Sequence, residues 1–157
     1  VETHKAMVYS ILWHFLRDRS LAEELAQEVF LELHQSWKSV KSPRHLVFWL
    51  RRVTTHRAID LVRKRKIRPE TSLEESGEPS MLEQDHDSFL VSYLGRMVAS
   101  LPEKQRMLVV LRYQEEMEPE EIARVLGMKV STVKTQLGRA LELLRAKTAY
   151  RLKSKEG

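Results

Sequence analysis

Between Pro69 and Asp87 the chain reads PETSLEESGEPSMLEQDHD, 19 residues with two prolines, one glycine, three serines, seven carboxylates and no Lys or Arg. Such a stretch has too little apolar surface to offset the entropy of ordering it, and its prolines and glycine interrupt a helix. It is read as a flexible linker rather than part of a core. On both sides of it apolar residues recur at helical spacing. No alternating run of β-branched residues bounded by turns suggests a sheet, and no internal repeat is visible. The expected fold class is therefore all-α: two small helical modules, 1–68 and 88–157, joined by a flexible acidic linker at 69–87.

With 157 residues and 42% hydrophobic content, the chain has enough apolar material for packed helical cores. No span of about 18 apolar residues is present, so no membrane insertion is expected. The N-terminus lacks a basic region followed by an apolar core, so it does not read as a secretory signal, and a cytoplasmic protein fits. There is no cysteine, hence no disulfide framework and no thiolate metal site. The six histidines are scattered without a His-Glu-x-x-His spacing, so no metal is expected. Neither a Gly-rich phosphate loop nor a Gly-x-Ser-x-Gly elbow appears. The sequence nominates no catalytic residue and no cofactor. The net charge of +5 is unevenly spread: residues 1–68 carry 14 Lys/Arg against 7 Asp/Glu, and residues 88–157 carry 13 against 8. Two basic blocks flanking an acidic spacer suit two nucleic-acid contacts better than one uniformly solvated surface.

The second block contains PEEIARVLGMKVSTVKTQLGRALELLR, Pro119 to Arg145. Pro119 suits an opening helical position, and Glu120 and Glu121 suit the positive end of the helix dipole. Ile122, Ala123 and Leu126 form an apolar face. Gly127 then ends the helix, and a second amphipathic helix begins within four residues. In that second helix Val133, Leu137, Ala140, Leu141 and Leu144 face inward. Ser131, Thr135, Gly138 and Arg139 are turned outward, with Thr132, Lys134 and Gln136 on the flanks. Small, polar and cationic side chains suit phosphates and base edges, so the segment reads as a helix-turn-helix. A plain helical hairpin with a solvated polar face fits the same pattern.

Helices are expected at about 3–17, 21–37 and 43–66, then at about 87–99, 101–115, 119–126 and 130–152. Ser20 with Glu23 is expected to cap the second, Ser42 before Pro43 the third, and Ser100 with Glu103 the fifth. From Ser20 to Trp37 there is no Lys or Arg. Glu23, Glu24, Glu28 and Glu32 line one side of that helix, and Leu21, Leu25, Val29 and Leu33 line the other. Such a face repels phosphates and suits a basic or polar protein partner, with Gln27 and Leu31 on or near the exposed side; a solvated acidic face is the alternative. In the third helix Leu46, Leu50, Val53 and Leu61 are expected inside, and Trp49, Arg52, His56 and Arg63 on a common outer stripe. Aromatic and cationic groups along one surface suit unstacked bases and their backbone. Trp49 could equally be a core residue.

The acidic AEELAQEVFLEL, the Trp-Leu followed by Arg-Arg-Val-Thr-Thr-His-Arg-Ala-Ile-Asp, the linker and the helix-turn-helix stand in one order that resembles the sigma factors of the sigma-70 family, extracytoplasmic-function group. Gln27, Glu28 and Phe30, joined to Thr132, Val133 and Lys134 far downstream, carry the resemblance, which covers almost the whole chain. It implies a transcription initiation factor that is not itself an enzyme. Ala22 to Leu33 resembles region 2.2, which implies docking on the β′ clamp helices of core RNA polymerase through Glu24, Gln27, Glu28 and Leu31. Leu50 to Lys66 resembles regions 2.3 and 2.4, which implies that Trp49, Arg52, His56 and Arg63 face the minus-10 element of promoter DNA. Leu101 to Arg145 resembles region 4, which implies minus-35 reading by Ser131, Thr132, Lys134, Thr135 and Arg139, and contact with the β flap. An anti-sigma factor is the implied regulator. The family's first helix would precede Val1. His56 stands where the family usually has asparagine, and Glu24 replaces aspartate. Lys129, Val130, Ser131 and Gln136 also depart from the common pattern, so the minus-35 sequence does not transfer. A self-sufficient helix-turn-helix regulator is the rival reading, and the acidic helix at 21–37, for which such a regulator has no use, separates the two.

Overall fold

The computed structural model describes residues 2–65 and 86–156, with side chains described at 3–65 and 91–149. The expected linker therefore lies, but for its last two residues, outside the described residues. All regular structure among the described residues is helical: α1 Glu2–Leu16, α2 Arg19–Gln35, a 3-10 turn at Trp37–Ser39, α3 Pro43–Arg65, α4 His86–Ala99, α5 Glu103–Val109, a π-helical turn at Val110–Gln114, α6 Pro119–Leu126 and α7 Val130–Glu156.

Helix α1 is the common support. Val8, Ile11, Leu12, Phe15 and Leu16 recur at the i, i+3, i+4, i+7, i+8 spacing of a single apolar stripe, and all five are buried. The helix packs on α2 and α3 and also reaches α4 and the π-helical turn of the second half of the chain. Arg17 then takes a left-handed conformation (φ 53°) and Asp18 an extended one. The Asp18 carboxylate accepts from the backbone N–H of Leu21 at 3.0 Å. This corrects the expected Ser20 and Glu23 cap: α2 starts at Arg19 because a carboxylate just before it satisfies an orphan amide and complements the helix dipole. Ser42 caps α3 as expected, its hydroxyl accepting from His45 N at 3.1 Å.

On α3 the buried line is Leu50, Thr54, Ala58 and Val62, with Thr55 beside it, whereas Leu46, Val53 and Leu61 are only half-buried. The expected inner face is rotated because α3 is covered from two directions, by α1 and α2 and by α5 and α6. Two buried threonines escape a reading based on apolar periodicity. Thr55 satisfies its hydroxyl by donating to the carbonyl of Arg51 one turn earlier, at 2.8 Å.

Two further local expectations are corrected in the second half. Ser100 donates to Met97 O at the end of α4 instead of capping α5, whose N-cap is Pro102. The segment expected as one helix at 101–115 passes into a π-helical turn, with Glu115 N donating to Val110 O at 3.1 Å. Residues 106–111 are buried consecutively, so no exposed face remains to give them an amphipathic period. In the helix-turn-helix, α6 begins with a reciprocal cap between Glu118 and Glu121 that the sequence reading missed, and Gly127 ends it at φ 69°.

The two halves share one buried cluster. Arg106 of α5, only 4% exposed, donates through Nη1 to Phe15 O at 3.1 Å and through Nε to Leu101 O at 3.3 Å, and lies over the Phe15 ring at 4.7 Å. Ser10 of α1 donates to Glu115 Oε2 at 2.8 Å, and Nδ1 of His14 bonds the Ser10 carbonyl at 2.9 Å.

An alanine Cβ at Gly127 would meet nothing within 4 Å, so only the left-handed backbone resists it. Gly127→Ala is expected to cost about 1–2 kcal/mol in urea denaturation, and Gly127→Asn less. An unchanged midpoint for alanine would contradict a strained turn. Burial foremost, with Arg17 adding to it, holds the His14 pKa below its ordinary 6.5, against the opposing pull of the Ser10 carbonyl and Glu115. The unfolded chain then takes up the proton first. The His14 contribution is present above 6.5 and lost as pH falls through the folded value. A proton NMR titration of the His14 ring is expected to show a midpoint below 6.5, and His14→Gln to reduce the fall in stability over that window.

Candidate nucleic-acid and polymerase-docking surfaces

The outer face of α7 is the most open of the three candidate surfaces. Val133, Leu137 and Ala140 are buried and hold the helix against α5 and α6. That leaves Ser131, Thr132, Lys134, Thr135 and Arg139 exposed on the opposite side. Among the described residues neither Lys134 nor Arg139 enters an ion pair. Gln136 is drawn away from this group, its side-chain carbonyl accepting from Gln105 Nε2 at 3.1 Å. The result is a face of small hydroxyls and two cations on a rigid helix, the chemistry a DNA groove accepts.

On α2 the buried Ala22, Leu25 and Val29 set the inward side, and Glu24, Gln27, Glu28 and Leu31 are all exposed. Leu31 is 59% exposed, an apolar group amid carboxylates. Trp37, just beyond the helix, is 58% exposed and borders an open groove with Phe30, Leu33 and His34. Trp37 is expected to close the second helix at 21–37, but α2 ends at Gln35, and the 3-10 turn that follows carries Trp37 off the helix.

The acidic face is not wholly free. Arg57 of α3 forks across to it, with Nη1 3.0 Å from Glu28 Oε1 and Nη2 2.7 Å from Glu32 Oε1. No local signal in the sequence links residues that far apart, and the fork arises only because α2 and α3 pack side by side. The fork ties α2 to α3 beside their packed faces.

The α3 stripe is brought together as expected, with Arg52, His56 and Arg63 exposed, and its polar groups also touch the second half of the chain. Trp49 is half-buried and packs against the core. Arg52 Nη1 donates to the carbonyl of Val125 in α6 at 3.3 Å, and His56 Nε2 bonds the same oxygen at 3.2 Å. Arg63 Nε is 3.2 Å from Glu103 Oε2 at the start of α5. The Glu103 carboxyl is held below the usual glutamate range by its own backbone N–H at the helix start and by Arg63. A cleft between α3 and α6 is lined by His56, Asp60, Arg63, Lys104 and Met128. Among the described residues no three His, Asp or Glu side chains gather to hold a metal ion, and no helix is long and apolar enough to cross a membrane.

Residues 1–67 match the family model for sigma-70 region 2, and residues 92–144 match that for sigma-70 region 4. The chain is 35% identical over 132 residues to the RNA polymerase sigma-E factor of Streptomyces coelicolor, covering 83% of this chain and 73% of that one. It belongs to the sigma-70 family of RNA polymerase sigma factors, extracytoplasmic-function group. It is also 29% identical over 158 residues to the extracytoplasmic-function sigma factor SigW of Bacillus subtilis, covering 92% of this chain and 84% of that protein. The fold agrees with the sigma factor RpoE of Bartonella quintana, solved in complex with the anti-sigma factor NepR, at a TM-score of 0.71 and 16% identity over 92% of this chain and 91% of that one. A sigma factor of this group directs core RNA polymerase to promoters, so both partners, polymerase and promoter DNA, follow from membership.

The Arg57 fork is 39% exposed on the arginine side, which limits what it contributes. Arg57→Met is expected to cost about 1 kcal/mol or less, and the difference from wild type is expected to shrink at high salt. Urea denaturation at low and high ionic strength measures both. A salt-independent loss would mean that Arg57 acts through packing of its stem rather than its charge.

Proposed function

We propose that this sigma factor divides its work among the three faces. The α2 face, with Glu24, Gln27, Glu28 and Leu31, docks on the β′ clamp helices of core polymerase. The α3 stripe, with Trp49, Arg52, His56 and Arg63, takes the unpaired minus-10 strand. The α7 face, with Ser131, Thr132, Lys134, Thr135 and Arg139, enters the minus-35 groove, its module resting on the β flap. Residues 1–68 and 88–157 act as the two promoter-binding units and 69–87 as their connection. Catalysis belongs to the polymerase, and the site of action is the cytoplasm. The observation that carries this reading is the exposure of all five α7 side chains on one face, while Val133 and Leu137 between them are buried.

Electrostatics supports the division of labour. An acidic helix bearing the exposed Leu31 repels phosphates and offers a protein partner both charge complementarity and an apolar anchor. An anti-sigma factor that covers this face would compete with polymerase for it. That reading draws support from the Bartonella quintana sigma factor, which was solved with such a partner.

Run-off transcription with core polymerase on a library of promoter fragments tests the whole proposal. Promoter-selective transcripts are expected, and their absence with active core enzyme would refute it. Charge reversal at Glu24 and Glu28 is expected to weaken co-purification with core polymerase by about tenfold or more, since exposed pairs across an interface act in concert. Lys134→Ala and Arg139→Ala are expected to weaken duplex binding and to lower the salt slope by about one unit each, because each lost phosphate contact leaves one counterion unreleased. Unchanged slopes would move both side chains off the DNA.

A further inference from the structure

Gln105, in the first turn of α5, and Gln136, in the second turn of α7, are joined by one hydrogen bond: Gln105 Nε2 donates to Gln136 Oε1 at 3.1 Å, across 31 residues of sequence. Both side chains are half-buried, between helices that pack directly on each other. The Gln105 carbonyl oxygen is buried and has no hydrogen-bond partner among the described residues. An orphan acceptor of that kind costs free energy, so its orientation needs a reason. Turning both amides over would keep one bond between them but place an NH2, with two hydrogens to satisfy, where that lone carbonyl now sits. The arrangement with the unpaired carbonyl costs less, since buried N–H groups tolerate the loss of a partner less well.

Gln136 is thus held by its carbonyl. Its NH2 has no partner among the described residues and stands at the edge of the open α7 face, one helical turn beyond Thr132 and one before Arg139. A glutamine with both ends free reads adenine by accepting from N6 and donating to N7. Gln136 cannot, because its carbonyl is turned inward to Gln105. Two N–H donors on one nitrogen match instead the major-groove edge of guanine, where N7 and O6 are both acceptors. Cytosine presents a donor there, and thymine a single acceptor beside its methyl group.

We propose that Gln105 is a positioning residue for promoter reading: it turns Gln136 into a donor-only side chain and so sets a preference for guanine at the base that Gln136 faces. The inference rests on the reading of α7 as the minus-35 surface, and it adds Gln136 to that surface. Gln105 need touch no base and acts through the amide it holds. As an uncharged group, Gln136 displaces no counterions, so salt separates its share of the binding from that of Lys134 and Arg139.

The test presents the full chain, assembled with core polymerase, with promoter duplexes randomised through the minus-35 region. The bound fraction is sequenced at about pH 8, where a carboxylate is ionised. The position at which Gln136→Ala flattens the wild-type preference marks the base pair that Gln136 reads, and guanine is expected there, favoured about fivefold or more over the other bases. Gln105→Met keeps the bulk of the side chain but frees Gln136 to use both ends, and is expected to move that preference to adenine. Gln105→Glu can only accept, so Gln136 must turn its NH2 inward and its carbonyl out; cytosine or adenine, which carry amino groups, is then expected. The salt slope of binding is expected to stay the same in Gln105→Met and Gln136→Ala.

A guanine preference that becomes adenine in Gln105→Met, at one position and with the others kept, upholds the inference, because a merely structural role would lower affinity for every sequence alike. An unaltered guanine preference in either folded Gln105 variant would overturn it. So would adenine in the wild type, or a profile that Gln136→Ala leaves intact at every position. A wild type that binds promoters with no selection in the minus-35 region would remove the α7 assignment on which the inference stands. Selection there that is lost with Lys134→Ala and Arg139→Ala, yet indifferent to Gln105 and Gln136, would sink this inference alone.

Discussion

Phe15 is buried near the end of α1 with its ring beneath the Arg106 guanidinium and its carbonyl accepting from the same group. The side chain thus belongs to the core that α1 forms with α2 and α3, while its backbone receives the second half of the chain. A cation enclosed between helices is costly unless its donors are satisfied, which gives this contact strict geometry. Once α1 is set in this way, α3 is covered from two directions and the second half of α5, Arg106 to Val109, is buried. The rotation of the α3 face and the contacts of Arg52, His56 and Arg63 with α5 and α6 follow from that placement.

The surfaces left outside this arrangement are chemically distinct. Helix α2 turns out carboxylates with a single exposed leucine, and α7 turns out hydroxyls with Lys134 and Arg139. A sigma factor must hold a protein and a nucleic acid at once. On the proposed assignment, faces of opposite charge keep each partner from the other's site, because like charges brought together cost free energy whatever their shapes. Arg57 bridges from α3 to Glu28 and Glu32 of α2.

Local pattern revealed a large part of this in advance. The first helix, the Gly127 break, the Ser42 cap and the inner line Val133, Leu137 and Ala140 are all short-range features, and each appears where periodicity and capping chemistry put it. The reading failed where neighbours in space outvoted neighbours in sequence. Asp18 took the cap expected of Ser20, Ser100 turned to α4, and the threonines at 54 and 55 went inside because α3 is packed from two directions there. Trp49 sits between its two expected fates, with its ring packed against the core and part of it exposed.

The sequence by itself determined the elements and their chemistry: helices from the apolar period, the turn from a glycine free to take positive φ, and the sign of each outer face from its ionisable residues. Those properties depend on residues within one or two helical turns of each other. Only the tertiary structure decided which faces remain available. Val125 O and Arg52 are separated by 73 residues, and Arg106 and Phe15 by 91. Contacts at that range depend on how whole helices pack, and no local period encodes them.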